Sequence, residues 1–235
     1  MKRLFALLLI LVLLGSCGEP APEVTEGPLA ANFQIVPLDD VADFGGFTAS
    51  APDQGAEEVR TMVETALSAY PEGLLAQLGE VRILLVGELT GDGLFAGGGY
   101  AGFTQRTEEG WRVVLDVSAC HPGTVHHELG HILDSILTAA GRLPEAQWLR
   151  LNPPGFAYGS GDWEGRGEFF TDAYAMTALT EDRASVFEAA VMGGEGIFDG
   201  KSPLWLKLHA FSDAIRAHFD TTGWPTVTIW ELALH

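Results

Sequence analysis

His127, Glu128 and His131 form an H-E-x-x-H string within a chain of 235 residues. On a helix, residues four apart share one face and lie about a turn from each other. Both imidazoles can then reach a single metal ion. Glu128, one residue after the first histidine, points to the flank where a metal-bound water would sit. This spacing predicts Zn²⁺ held by two neutral imidazoles, with the carboxylate taking a proton from the water. The chain has only 7 histidines, so chance rarely produces the string. Val125, Leu129, Ile132, Leu133 and Ile136 supply the apolar face of a buried helix.

A catalytic zinc keeps three protein ligands and leaves one position for water. A histidine six residues after the second is excluded, since position 137 is Leu. That leaves a carboxylate from a later helix, and two segments offer one. Glu181 opens the 181–187 segment, expected as a helix capped by Thr180. Glu168 opens the 168–172 segment, where Asp172, one turn on, could brace a ligand histidine. Spacing alone does not choose between Glu168 and Glu181, and either taken singly also fits a solvated helix face.

The elements that must position these groups are legible as periodicities. Val59, Met62, Val63, Ala66 and Leu67 predict a helix over 54–70, ended by Pro71 and Gly73. Residues 74–78 add a turn. Residues 81–86, apolar except for Arg82, predict a strand, and 111–117 a second one. Six glycines in 91–102 predict a loop or loose hairpin. Pro122 and Gly123 turn the chain into the metal helix, with Thr124 as its N-cap. Residues 33–47 are expected on the surface, and 203–219 as a closing amphipathic helix that carries His209 and His218. The 224–234 tail is expected as a short strand. The expected class is α+β: a small mixed sheet packed on the H-E-x-x-H helix, with a mainly helical C-terminal half.

The amino terminus has its own pattern. Two basic residues, Lys2 and Arg3, precede an apolar run over 4–14 and then Leu14-Gly15-Ser16-Cys17. The run is too short to span a bilayer comfortably. The cysteine at the cut site resembles a bacterial lipobox, which implies a lipoprotein signal peptide over 1–17 and lipid on Cys17. Gly18 follows where Asp would mark the inner membrane, so the resemblance favours the outer one. Residues 18–31 read as a flexible tether and 32–235 as the zinc-binding domain. Cys17 and Cys120 are the two cysteines, so a lipidated Cys17 leaves Cys120 with no disulfide partner. Net charge is −19, a surface that repels nucleic acid and anionic headgroups.

The run Tyr174-Ala175-Met176-Thr177-Ala178-Leu179-Thr180-Glu181, with Ala184 and Phe187 after it, resembles the third-ligand segment of the gluzincin class of zinc peptidases. The likeness extends to the catalytic domain of anthrax lethal factor and to bacterial zinc-binding peptidases, many of them lipoproteins. The wording of 126–134 and the Ala101-Gly102 pair before a strand resemble the bacterial members too. The resemblance implies a zincin-like fold and hydrolysis of peptide bonds in a peptide or protein substrate. It implies zinc ligation by His127, His131 and Glu181, Glu128 as general base, and Tyr174 facing the reacting carbonyl. Ser185 departs from the pattern, since an acidic residue is usual there as support for the ligands. A zinc-binding lipoprotein acting as a structural or binding module, without turnover, is the competing reading. Ser185 argues for it; an intact Glu128 argues against it. Cleavage of a non-peptide amide fits the same residues. His126 and Asp134 read as packing or orienting groups. Cys120 reads as a small buried thiol.

Overall fold

The computed structural model describes residues 30–91, 100–159, 164–194 and 196–235. The leader, nearly all of the tether, and most of the glycine-rich 91–102 segment lie outside the described residues. The chain is mixed α+β. Among the described residues the strands are β1 Phe33–Pro37, β2 Ala42–Asp43, β3 Phe47–Ala49, β4 Val81–Val86, β5 Leu89–Gly91, β6 Gly102–Arg106 and β7 Trp111–Asp116. The helices are α1 Ala56–Ser68, α2 Glu72–Leu75, α3 Pro122–Ala139, α4 Glu145–Leu149, α5 Leu179–Val191 and α6 Pro203–His218. No described helix is long and apolar enough to cross a membrane.

The main sheet has the order β1-β4-β7-β6. β1, β4 and β7 are parallel, and β6 runs antiparallel to β7. The central strands β4 and β7 read as nearly continuous apolar runs because both of their faces are covered. On one face Ile83, Leu85, Val113 and Leu115 share a core with Val125, Leu129 and Ile132 of α3. On the other, Leu84, Val86 and Val114 pack with Phe44, Ala49 and Leu89, under the small antiparallel sheet β2-β3-β5. α3 thus lies on one face of the main sheet and the small sheet on the other.

Four expectations are corrected. Residues 33–47 do not simply line the surface: Phe33 and Ile35 alternate inward along β1, a sheet strand, and Phe44 is also buried. Their period of two is the strand signature. α3 starts at Pro122, so His121 and not Thr124 holds the N-cap position; Thr124 instead accepts the His121 backbone N–H through Oγ1 at 3.2 Å. α5 starts at Leu179, which puts Thr180 inside the helix and Ala178 at its cap. The tail folds as a 3₁₀ helix, Ile229–Leu234, because Trp230 is driven into the core against Tyr70 and Phe187. By contrast, α1, β4, β7 and the amphipathic α6 lie where the periodicities put them.

Candidate metal centre

α3 presents His127 and His131 one turn apart, with ring centroids 4.7 Å from each other. α5 crosses α3 at Gly130, the second variable residue of the string. A Cβ there would stand 3.0 Å from the Cα of Ala184, so the absence of a side chain lets the two helices meet. That contact brings Glu181, one helical turn before Ala184, onto the imidazoles. Glu181 Oε2 lies 3.0 Å from His127 Nε2 and 3.3 Å from His131 Nε2. All three ligand atoms fall within 4.8 Å of one another. A tetrahedral zinc with bonds of 2.0–2.2 Å needs ligand atoms about 3.3 Å apart. Two imidazole nitrogens and one carboxylate oxygen at this spacing fit a zinc ion by donor chemistry and by distance. Glu168, the other candidate, sits exposed in a turn and is not part of the cluster. Its segment is not a helix, and Asp172 accepts the Ala175 N–H at 2.8 Å rather than bracing a histidine.

The electrostatics follow from crowding acids and imidazoles in a shielded place. Burial opposes a charge on His127, but hydrogen bonds to Glu181 and Glu188 outweigh it and lift its pKa to about 10. Burial would raise Glu181, yet the two imidazoles hold it down to about 2. Glu128 is 4% exposed, and burial raises its pKa although His131, His127 and Thr104 pull the other way. Thr104, on β6, donates to Glu128 Oε2 at 2.7 Å. Tyr174 lies on a short 3₁₀ turn, Tyr174–Met176, rather than in an α-helix. It is 51% exposed, and its ring centroid is 6.0 Å from that of His127. Burial and then the Glu181 and Glu128 charges raise its pKa, so it stays a donor at neutral pH.

Other groups take structural places. His126 faces away from the cluster and meets the Tyr70 hydroxyl through Nδ1 at 2.7 Å, and burial pushes its pKa down to about 4. Asp134 receives Arg183 Nη1 at 2.6 Å and Thr138 Oγ1 at 3.0 Å. Cys120 is partly buried and free, and burial raises its pKa to about 11, which keeps it a thiol. His209 pairs with the exposed Asp213 at 3.0 Å on α6.

Three residues near the site escaped the sequence reading. Thr104 could have been noticed only by knowing that β6 flanks the metal helix. Glu188 Oε2 lies 3.1 Å from His127 Nδ1, and the i, i+7 spacing from Glu181 was the one available signal. Lys207, fully buried on α6, reaches Asp182 beside Glu181, and nothing local announces it.

Neither family models nor curated proteins match the chain. A solved structure does: the crystal structure of a "putative zinc-binding metallo-peptidase" from Bacteroides caccae ATCC 43185. It superposes with a TM-score of 0.54 at 17% identity, over 88% of this chain and 84% of that one. The chain therefore has a metallopeptidase-like fold.

Proposed function

We propose that the chain is a zinc-dependent peptidase of the gluzincin type, with His127, His131 and Glu181 as ligands and Glu128 as general base. One observation carries this reading: a carboxylate oxygen from α5 reaches both imidazoles of the H-E-x-x-H helix at tetrahedral spacing. The described fold and the zinc-binding name of the similar structure support it.

A zinc ion bound there would lower the pKa of its water to about 7 and polarise a carbonyl. Glu128 accepts the proton as the water attacks the peptide carbon, then passes it to the leaving amine. Its raised pKa makes it a stronger base than an exposed carboxylate, and Thr104 fixes one of its oxygens. Tyr174 donates its hydroxyl to the developing oxyanion. β6 is the last strand of the four-stranded order, and its Thr104 touches Glu128. A peptide paired along that edge passes the base.

The test is hydrolysis of a fluorogenic peptide library by the purified protein. Glu128→Gln abolishes turnover and retains zinc, whereas His131→Ala loses both. Activity that survives chelation and Glu128→Gln refutes the reading. Zinc uptake by a wild-type protein without turnover favours the non-catalytic module. The leader reading is part of the same proposal: an envelope lipoprotein anchored through Cys17, outer membrane favoured. Cys17→Ser should move the protein from the membrane fraction to the soluble one.

A further inference from the structure

Glu188 sits on α5 two turns after Glu181, on the side that faces the first turns of α3. Its Oε2 is 3.1 Å from His127 Nδ1, the ring nitrogen that does not face Glu181. Its Oε1 lies over the first turn of α3, at Gly123. A Cβ built on Gly123 would come within 2.5 Å of that oxygen and 2.8 Å of the His121 ring. The space the carboxylate occupies thus exists because position 123 has no side chain. Among the described residues, Glu181 and Glu188 are the two acids of α5 that pair with His127. Ser185, which shares that face, is buried, and its Oγ has no hydrogen-bond partner among the described residues.

We propose that Glu188 is the positioning residue of the metal centre, and that Gly123 is there to admit it. The inference rests on the metal reading above. By accepting the Nδ1–H of His127, Glu188 leaves Nε2, on the side of Glu181 and His131, as the ring atom that would hold a metal ion. It also stops rotation of the ring about its Cβ–Cγ bond. An imidazole held this way is a better and more rigid ligand. The first turn of α3 adds to the arrangement, because the positive end of the helix dipole favours a carboxylate beside it. Support that Ser185 cannot give is supplied from one turn further along the same helix.

The experiment measures zinc affinity of the full chain by competition with a chromophoric chelator, and follows apo-protein unfolding in parallel. Glu188→Gln and Glu188→Ala should weaken zinc binding by about 10- to 100-fold, the usual cost of losing such a partner. Their apo-protein melting should stay near wild type, which a merely structural residue would not allow. Gly123→Ala should reproduce the loss by displacing the carboxylate, the far end of a flexible side chain. The double variant Gly123→Ala/Glu188→Ala should lose no more than either alone. Zinc affinity within twofold of wild type in both Glu188 variants overturns the proposal, provided His131→Ala abolishes binding. Additive losses in the double variant overturn the role of Gly123. A wild-type chain that binds no zinc fails the metal reading itself, and that outcome is distinct from the others.

Discussion

Lys207 Nζ stands 2.9 and 2.7 Å from the two carboxylate oxygens of Asp182, and neither side chain is exposed to solvent. Asp182 is the neighbour of Glu181 in the first turn of α5. Its Oδ2 also accepts Trp148 Nε1 at 2.8 Å and the Tyr158 hydroxyl at 2.7 Å, while Lys207 donates to the Phe169 carbonyl at 2.6 Å. Three elements are therefore tied to the residue beside the carboxylate that meets the histidines. Burial lowers the Lys207 pKa to about 8 against the pull of Asp182, so the lysine is still largely charged at neutral pH. Lys207→Met leaves Asp182 buried and uncompensated, and should destabilise the fold by about 3–5 kcal/mol. Adding Asp182→Asn should recover part of that. Denaturant unfolding of the three proteins checks the order.

Gly130 makes a second prediction. Any side chain at 130 meets the backbone of Ala184. Gly130→Val should push α5 off α3, cost about 1–3 kcal/mol, and carry Glu181 away from His127 and His131. Zinc affinity should then fall more than stability does. A chelator titration beside a thermal melt separates the two effects, and an unchanged titration would show that the helices can part without moving Glu181.

Thr104→Val deletes the hydroxyl on Glu128 and preserves the shape of the residue. One net hydrogen bond of about 1 kcal/mol corresponds to roughly a fivefold drop in turnover. Zinc affinity should not change, since Thr104 touches the base and not the cluster. Steady-state rates on a cleaved peptide, with metal content measured alongside, give the answer.

Glu231 carries the clearest pH signature away from the metal centre. Burial would raise it, but Arg216, the Thr228 amide and hydroxyl, and Ser212 together hold its pKa down to about 2. A carboxyl lowered on folding adds stability above its unfolded pKa of 4.5 and loses it as pH falls toward 2. Arg216 is partly exposed, so solvent screens the pair and the expected share is about 1–2 kcal/mol. Glu231→Gln should cost that amount at neutral pH and nothing near pH 2. Unfolding curves at several pH values between those limits test the sign.

The 3.6-residue period around His127 and His131 determined by itself that two imidazoles share a helix face with an acid beside them. Hydropathy alone likewise marked β4, β7, α1 and α6, because burial of a whole strand or of one helix stripe is written in neighbouring residues. The carboxylate that joins the histidines was another matter. Spacing leaves Glu168 and Glu181 equivalent, and only the resemblance of the 174–187 segment favoured Glu181; the approach of α5 to α3 across Gly130 is what brings it to the imidazoles, while Glu168 stays in solvent. Glu188 against His127, Thr104 against Glu128 and Lys207 against Asp182 belong to the same class. Each joins groups 24 or more residues apart. Such pairs depend on how helices and strands stack, and that stacking is set by the summed packing of a core spread along the entire chain. A short window of sequence holds only one side of each contact.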